Sequence, residues 1–101
     1  MRIVSKTILL AFAERNKDAK QPLLAWIEEA RHAEWKTPQD IKAQYRSASI
    51  IANNRVVFNI KANDYRLIVG VSYKHGGLYV KFIGTHAAYD NVDAATVELE
   101  E

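Results

Sequence analysis

Nine side chains in the second half of this sequence carry chemistry suited to a polyanion: Arg55, Asn59, Lys61, Arg66, Lys74, Tyr79, Lys81, His86 and Tyr89. Arg grips a phosphate through a planar fork and Lys through a compact charge, while Tyr and His can stack on unpaired bases. His86 adds a proton-transfer group, because imidazole is the side chain whose ordinary titration falls near neutrality. A spacing of i to i+3 puts His86 and Tyr89 on one face if their segment is helical. Taken singly, each of these residues reads as a solvated surface group. The set is informative because one strand face collects most of it.

Competing chemistries find less support. His32, His75 and His86 lie on different elements, with no Cys and no close His/Asp/Glu ligand spacing, so no metal site emerges and no cofactor is called for. Gly76-Gly77 is a hairpin signal rather than a phosphate loop, since nothing follows the GxxxxGK[ST] pattern. With no cysteine in the chain, disulfides and thiolate nucleophiles are excluded.

The elements that must position these side chains follow from periodicity. Residues 56–61, 65–74 and 78–85 are rich in Val, Ile, Tyr and Phe and are separated by the turn-forming clusters Ala62-Asn63-Asp64 and His75-Gly76-Gly77. They predict a three-stranded antiparallel meander. Alternation assigns Val56, Phe58, Ile60, Tyr65, Leu67, Val69, Val71, Leu78, Val80 and Phe82 to an apolar face. The other face takes Asn59, Lys61, Arg66, Lys74, Tyr79 and Lys81 with Ile83 and Thr85, and it holds no acid.

Before the meander, Met1–Val4 reads as an edge strand, and Ile8, Leu9, Phe12 and Ala13 give a helix over roughly 5–16 with Ser5 as N-cap. A second helix is expected from Pro22 to His32, after the polar link Lys17-Asp18-Ala19-Lys20. Thr37-Pro38-Gln39-Asp40 caps a short helix reaching Tyr45, and 46–54 is a connection against the sheet edge. After the strands, Thr85 caps a helical turn at His86–Asp90, and 93–101 is expected to be a frayed helix or disordered.

One domain over residues 1–101 is expected from the length, with a soluble, globular composition. No apolar run approaches the roughly 20 residues a membrane span needs, and Glu14 and Arg15 cut short the N-terminal apolar stretch, so the chain reads as mature cytoplasmic sequence. The net charge of +2 hides an asymmetry: residues 1–86 hold all 14 Lys and Arg against seven acids, whereas 87–101 hold five acids and no Lys or Arg. A basic body with a short acidic tail points to a polyanion partner such as nucleic acid.

The run Tyr65-Arg66-Leu67-Ile68-Val69, preceded by Val57-Phe58-Asn59-Ile60 and followed by Tyr79-Val80-Lys81-Phe82-Ile83-Gly84-Thr85-His86 and Tyr89-Asp90, resembles the HigB-type toxins of bacterial toxin–antitoxin modules. These belong to the RelE-like messenger-RNA endonucleases. The resemblance covers nearly the whole chain. Its most specific parts are Val57-Phe58-Asn59, the N-x-x-R at Asn63 and Arg66, and the T-H-x-x-Y-D from Thr85 to Asp90.

The resemblance implies an α+β fold with a small twisted antiparallel sheet and a helical hairpin on one face. It also implies metal-independent cleavage of messenger RNA at the ribosome by the ribose 2′-hydroxyl, and neutralisation by a HigA-like helix-turn-helix antitoxin. Arg66 and Lys81 then carry phosphate charge, His86 serves as acid or base, and Tyr89 positions a nucleotide or donates a proton. Arg55, Asn59, Lys61, Asn63, Lys74 and Tyr79 fall to RNA binding. The acidic tail departs from the basic ends found elsewhere in the group. Two rival readings use the same face: a non-catalytic RNA- or ribosome-binding module, and a protein-interaction module.

Overall fold

A computed structural model describes residues 1–99. The chain runs β1 (Arg2–Val4), α1 (Lys6–Arg15), α2 (Lys17–His32), α3 (Pro38–Gln44), β2 (Ser49–Ile51), β3 (Arg55–Ile60), β4 (Tyr65–Ser72), β5 (Gly77–Thr85) and α4 (His86–Tyr89). The sheet has five strands in the order β1-β5-β4-β3-β2. All neighbours are antiparallel except β1, which runs parallel to β5 with Ile3 opposite Leu78. The fold is therefore α+β with a mixed sheet, wider by one strand at each edge than the meander alone. Among the described residues no helix is long and apolar enough to cross a membrane.

Helices α1 and α2 cover one face. Phe58 and Leu67, opposite each other in register, are 1% and 0% exposed beneath them. Trp26 of α2 meets the Phe58 ring edge-on at 5.2 Å, and Trp35 stacks on Phe58 at 6.1 Å. These rings pack with Leu9, Leu23 and Ile27 of the helices into one apolar core against the sheet.

Four expectations need correcting here. First, α2 begins at Lys17, one turn before Pro22, which sits inside the helix. A proline there forfeits a hydrogen bond, but Asp18 of the extra turn is bonded by Tyr65 and Lys61 of the sheet, so tertiary contact overrides the local signal. Second, Ser5 occupies the N-cap of α1 in a left-handed conformation, φ 70°, without a side-chain cap bond. Third, residues 49–51 within the expected connection form β2, joined to β3 by a turn with Asn53 and Asn54 at φ 64° and 56°, which asparagine tolerates.

The fourth concerns β5. Its register against β4 slips between Ile68 and Val69: Ile68 faces Phe82, Val69 faces Val80, and Lys81 is the extra residue of a β-bulge. One added residue reverses the facing of everything after it. Phe82 thus joins Ile68 on the face away from the helices, and Ile83 packs with the helix-side core. Thr37 and Thr85 do act as predicted caps, accepting from Asp40 N at 3.3 Å and Ala88 N at 3.1 Å.

Candidate active site

The face away from the helices is built around the end of β4. The β3–β4 turn holds Lys61 and Ala62 in the left-handed region at φ 51° and 55°, a conformation that costs non-glycine residues about 1–3 kcal/mol each. That turn presents Asn63 to Arg66: the guanidinium donates to the Asn63 carbonyl at 3.0 Å and to its side-chain oxygen at 3.4 Å. It also donates, at 3.4 Å, to the Tyr65 carbonyl. The turn's other end accepts from His86, whose backbone N–H reaches the Asp64 carbonyl at 3.0 Å. Turn and α4 are therefore fastened together.

Because α4 starts there, Tyr89 falls over the sheet, with its ring centre 5.7 Å from the Arg66 guanidinium carbon and 6.4 Å from the Phe82 ring. Phe82 finds space because position 84 is glycine; a Cβ there would stand 2.7 Å from the Phe82 ring. Arg66 is thus oriented along one edge by Asn63 and on one face by Tyr89. Among the described residues its hydrogen bonds all go to neutral oxygens, so no carboxylate offsets its charge. His86 lies on the same turn of helix, half exposed, with Nε2 3.6 Å from Asp90 Oδ1. Asn59 stands directly across the strand pair from Arg66.

A second cationic point lies farther along the same face. Arg55 is opposite Gly70, and the Lys81 stem passes 3.3 Å from where a Gly70 Cβ would stand. Between the two cations sits the carboxylate of Glu98, 2.5 Å from Arg55 Nη2 and 2.8 Å from Lys81 Nζ. Residues 93–99 are a strap across this face, not a frayed end; the same expectation for residues 100 and 101 lies outside the described residues. Arg55 is 5% exposed and also donates to the Ala94 and Val97 carbonyls at 3.1 and 2.6 Å. Its placement on an open RNA-facing surface is corrected accordingly: its fork is spent on the strap. The face is not acid-free either, since Glu98 brings a carboxylate to it, held below its usual range by Lys81 and then by Arg55.

Two other expected cations stand apart. Lys61 leaves the sheet face at its left-handed turn and pairs with Asp18 at 2.9 Å and Asp64 at 3.4 Å. Lys74 lies in the β4–β5 turn beside Arg2 and His75, at the opposite end of the strands from Arg66. Tyr79 stays on the Lys81 side, its ring over Gly77, where a Cβ would meet it at 3.0 Å. Asn63 and Tyr89 therefore contact Arg66, Asn59 stands across the strand pair from it, His86 opens the helical turn that carries Tyr89, and Lys81 lies farther along the face under Glu98. Phe82 and Glu98 escaped the sequence reading. The adjacent apolar pair Phe82-Ile83 broke the alternation and was the visible sign of the bulge, whereas nothing local marked Glu98.

Such an arrangement can bind one phosphate at Arg66, stack a base on Tyr89 or Phe82, and exchange a proton at His86. Among the described residues no three His, Asp or Glu side chains come together as a metal site would require.

A family model described as HigB_toxin, RelE-like toxic component of a toxin-antitoxin system, matches residues 19–92. The matched span runs from α2 through α4 and stops short of the strap. Among curated proteins, none matches the chain significantly.

Proposed function

From the premise that this chain belongs to the HigB toxin family, the RelE-like toxic component of toxin–antitoxin systems, we propose that it is an endoribonuclease of the cytoplasm that cleaves messenger RNA on the ribosome. Its toxicity is held in check by an antitoxin partner, and we assign that role to a HigA-like helix-turn-helix protein. The observation that carries the reading is Arg66, a cation that has no carboxylate partner among the described residues and is oriented by Asn63 and by the ring of Tyr89, which shares a helical turn with His86.

In the proposed reaction the ribose 2′-oxygen attacks the adjacent phosphorus, a P–O2′ bond forms, and the P–O5′ bond breaks. The 2′-hydroxyl proton leaves to a base, and the departing 5′-oxygen takes up a proton. The products are a 2′,3′-cyclic phosphate and a 5′-hydroxyl end. His86 handles one of these protons, Arg66 bears the charge that develops on the phosphorane, and Lys81 adds a second positive charge. Tyr89 holds the nucleotide by stacking, with Asn59 and Asn63 alongside. The chemistry needs no metal, since the nucleophile is the substrate's own hydroxyl and the charge is met by side chains.

Inducing the chain without antitoxin in a bacterium should arrest growth and produce new RNA 5′ ends bearing hydroxyls within coding sequences. Purified protein with programmed ribosomes should cut equally well with EDTA present, once magnesium is matched to keep the ribosomes intact. Growth arrest without new ends would replace the nuclease with a non-catalytic RNA- or ribosome-binding module.

A further inference from the structure

Glu98 bridges two cations that are held very differently. Arg55 has a side chain only 6% exposed and is bonded to two strap carbonyls besides Glu98, so it anchors the strap's backbone. Lys81 is 25% exposed, and among the described residues its single hydrogen bond goes to Glu98. The Glu98 side chain itself is 59% exposed. One carboxylate oxygen is held by Arg55 and the other by Lys81, and with the Glu98 side chain more than half exposed an incoming anion can reach the Lys81 ammonium without moving the strap.

The strap that delivers it is well fixed upstream. Val97 N–H donates to the Asp93 carbonyl at 2.8 Å, and Asn53 Nδ2 donates to the Ala95 carbonyl at 2.8 Å. Rotation of the Glu98 side chain alone would therefore free Lys81. Arg55 and Lys81 lie inside the matched family span, whereas Glu98 lies beyond it.

We propose that Glu98 is an internal competitor of RNA: its carboxylate fills the phosphate site of Lys81, and a backbone phosphodiester must displace it for Lys81 to engage. This rests on the RNA-cleaving function proposed above. Displacement exchanges one anion for another, so wild-type protein gains little from Lys81 on binding and releases few ions there. The strap thereby sets RNA affinity without touching Arg66 or His86.

Binding of a single-stranded RNA oligonucleotide lacking 2′-hydroxyls, which cannot be cleaved by this route, separates the alternatives. Glu98→Gln should bind about two- to fivefold tighter than wild type at low salt, the scale of one exposed ion pair. Its log K against log salt should steepen by about 0.7, the value for one further phosphate neutralised on a single strand. Both gains should vanish in a Lys81→Ala background. As a check that needs no variant, the Glu98 carboxyl followed by 13C NMR in wild type should titrate low when free and return toward the ordinary range when the oligonucleotide is bound.

Unchanged affinity and slope in Glu98→Gln overturn the proposal. So does a gain that survives Lys81→Ala, or a Glu98 carboxyl that stays depressed in the complex. A protein that binds the oligonucleotide normally but ignores Glu98 rejects the competitor alone. One that binds no RNA in any form rejects the proposed function with it.

Discussion

At the scale of single residues, Arg66 and Leu67 are neighbours on β4 with opposite duties. Leu67 is fully buried against the helices, while Arg66 lies across the sheet on the Asn63 and Tyr89 side. Arg66→Ala leaves no core cavity and should shift stability by no more than about 0.5 kcal/mol. It should nevertheless raise the barrier to cleavage by about 2.7–4 kcal/mol, a hundred- to thousandfold loss in rate, if the guanidinium meets charge that develops only in the transition state. Leu67→Ala should do the converse, costing about 2–5 kcal/mol of stability and lowering activity only through the unfolded fraction. Thermal melts beside single-turnover cleavage rates check both. An Arg66→Ala protein that melts as early as Leu67→Ala, or that cuts at full rate, would remove Arg66 from the site. Arg55 shows why residue type alone does not assign duty: it has the same guanidinium, yet its burial under the strap turns it into a structural anchor.

Among elements, β5 decides which side chains reach the site, because its bulge turns Phe82 toward Tyr89. Gly84→Ala probes this directly. The added Cβ would stand 2.7 Å from the Phe82 ring, so the ring must swing away and Tyr89 loses its neighbour. Stability should fall by about 1–3 kcal/mol, as for other overpacked sites, and cleavage should drop on the order of tenfold or more, as small misplacements near reacting groups do. Had Phe82 faced the helices, as strict alternation implies, the same variant would leave Tyr89 and cleavage untouched. Legibility followed the range of the signal. The turn at Gly76, the capped start of α3 at Thr37 and the cap of α4 at Thr85 were readable because each depends on residues within a few positions. The first turn of α2 was hidden because Asp18 is stabilised by Lys61 and Tyr65, more than forty positions away. Strand β2 was hidden because its apolar residues Ile50 and Ile51 are adjacent and show no alternation. Glu98 was hidden for the first reason again, since its partner Arg55 lies 43 positions earlier. The face that Arg66 occupies and the shared helical turn of His86 and Tyr89 were legible because period two on β4 and i to i+3 spacing on α4 are both local rules.

Across the whole molecule, Asp18 is the joint between the helical layer and the strained turn that carries Asn63. Its carboxylate accepts from the Tyr65 hydroxyl at 2.7 Å and from Lys61 at 2.9 Å. The Tyr65 bond, then Lys61, holds the Asp18 carboxyl below its ordinary 3.8. A carboxyl depressed on folding adds stability that is present above its unfolded value and is lost as pH falls through the lower folded value. Lys61 and Tyr65 are both raised by Asp18 above their ordinary 10.5 and 10.0, so what they add is present below those values and disappears as pH climbs through the raised ones. The joint should accordingly hold fully between about pH 4 and 10 and weaken at both ends. Glu28, Asp40 and Glu98 are also depressed and fade in the same acid window, so acid unfolding of wild type alone does not single out Asp18. The difference between wild type and Asp18→Asn does. Denaturant melts of the two proteins should lie farthest apart near neutrality and draw together below pH 4, where the wild-type carboxylate is itself being protonated. They should draw together again above pH 10, as the Tyr65 hydroxyl and Lys61 ammonium lose their protons. Because that joint steadies the turn holding Arg66, cleavage at pH 7 should be slower in Asp18→Asn, while Asn63→Ala added to it should cost less than Asn63→Ala in wild type. A stability gap that stays constant from pH 3 to 11 would mean that Asp18 contributes through packing and not through its charge.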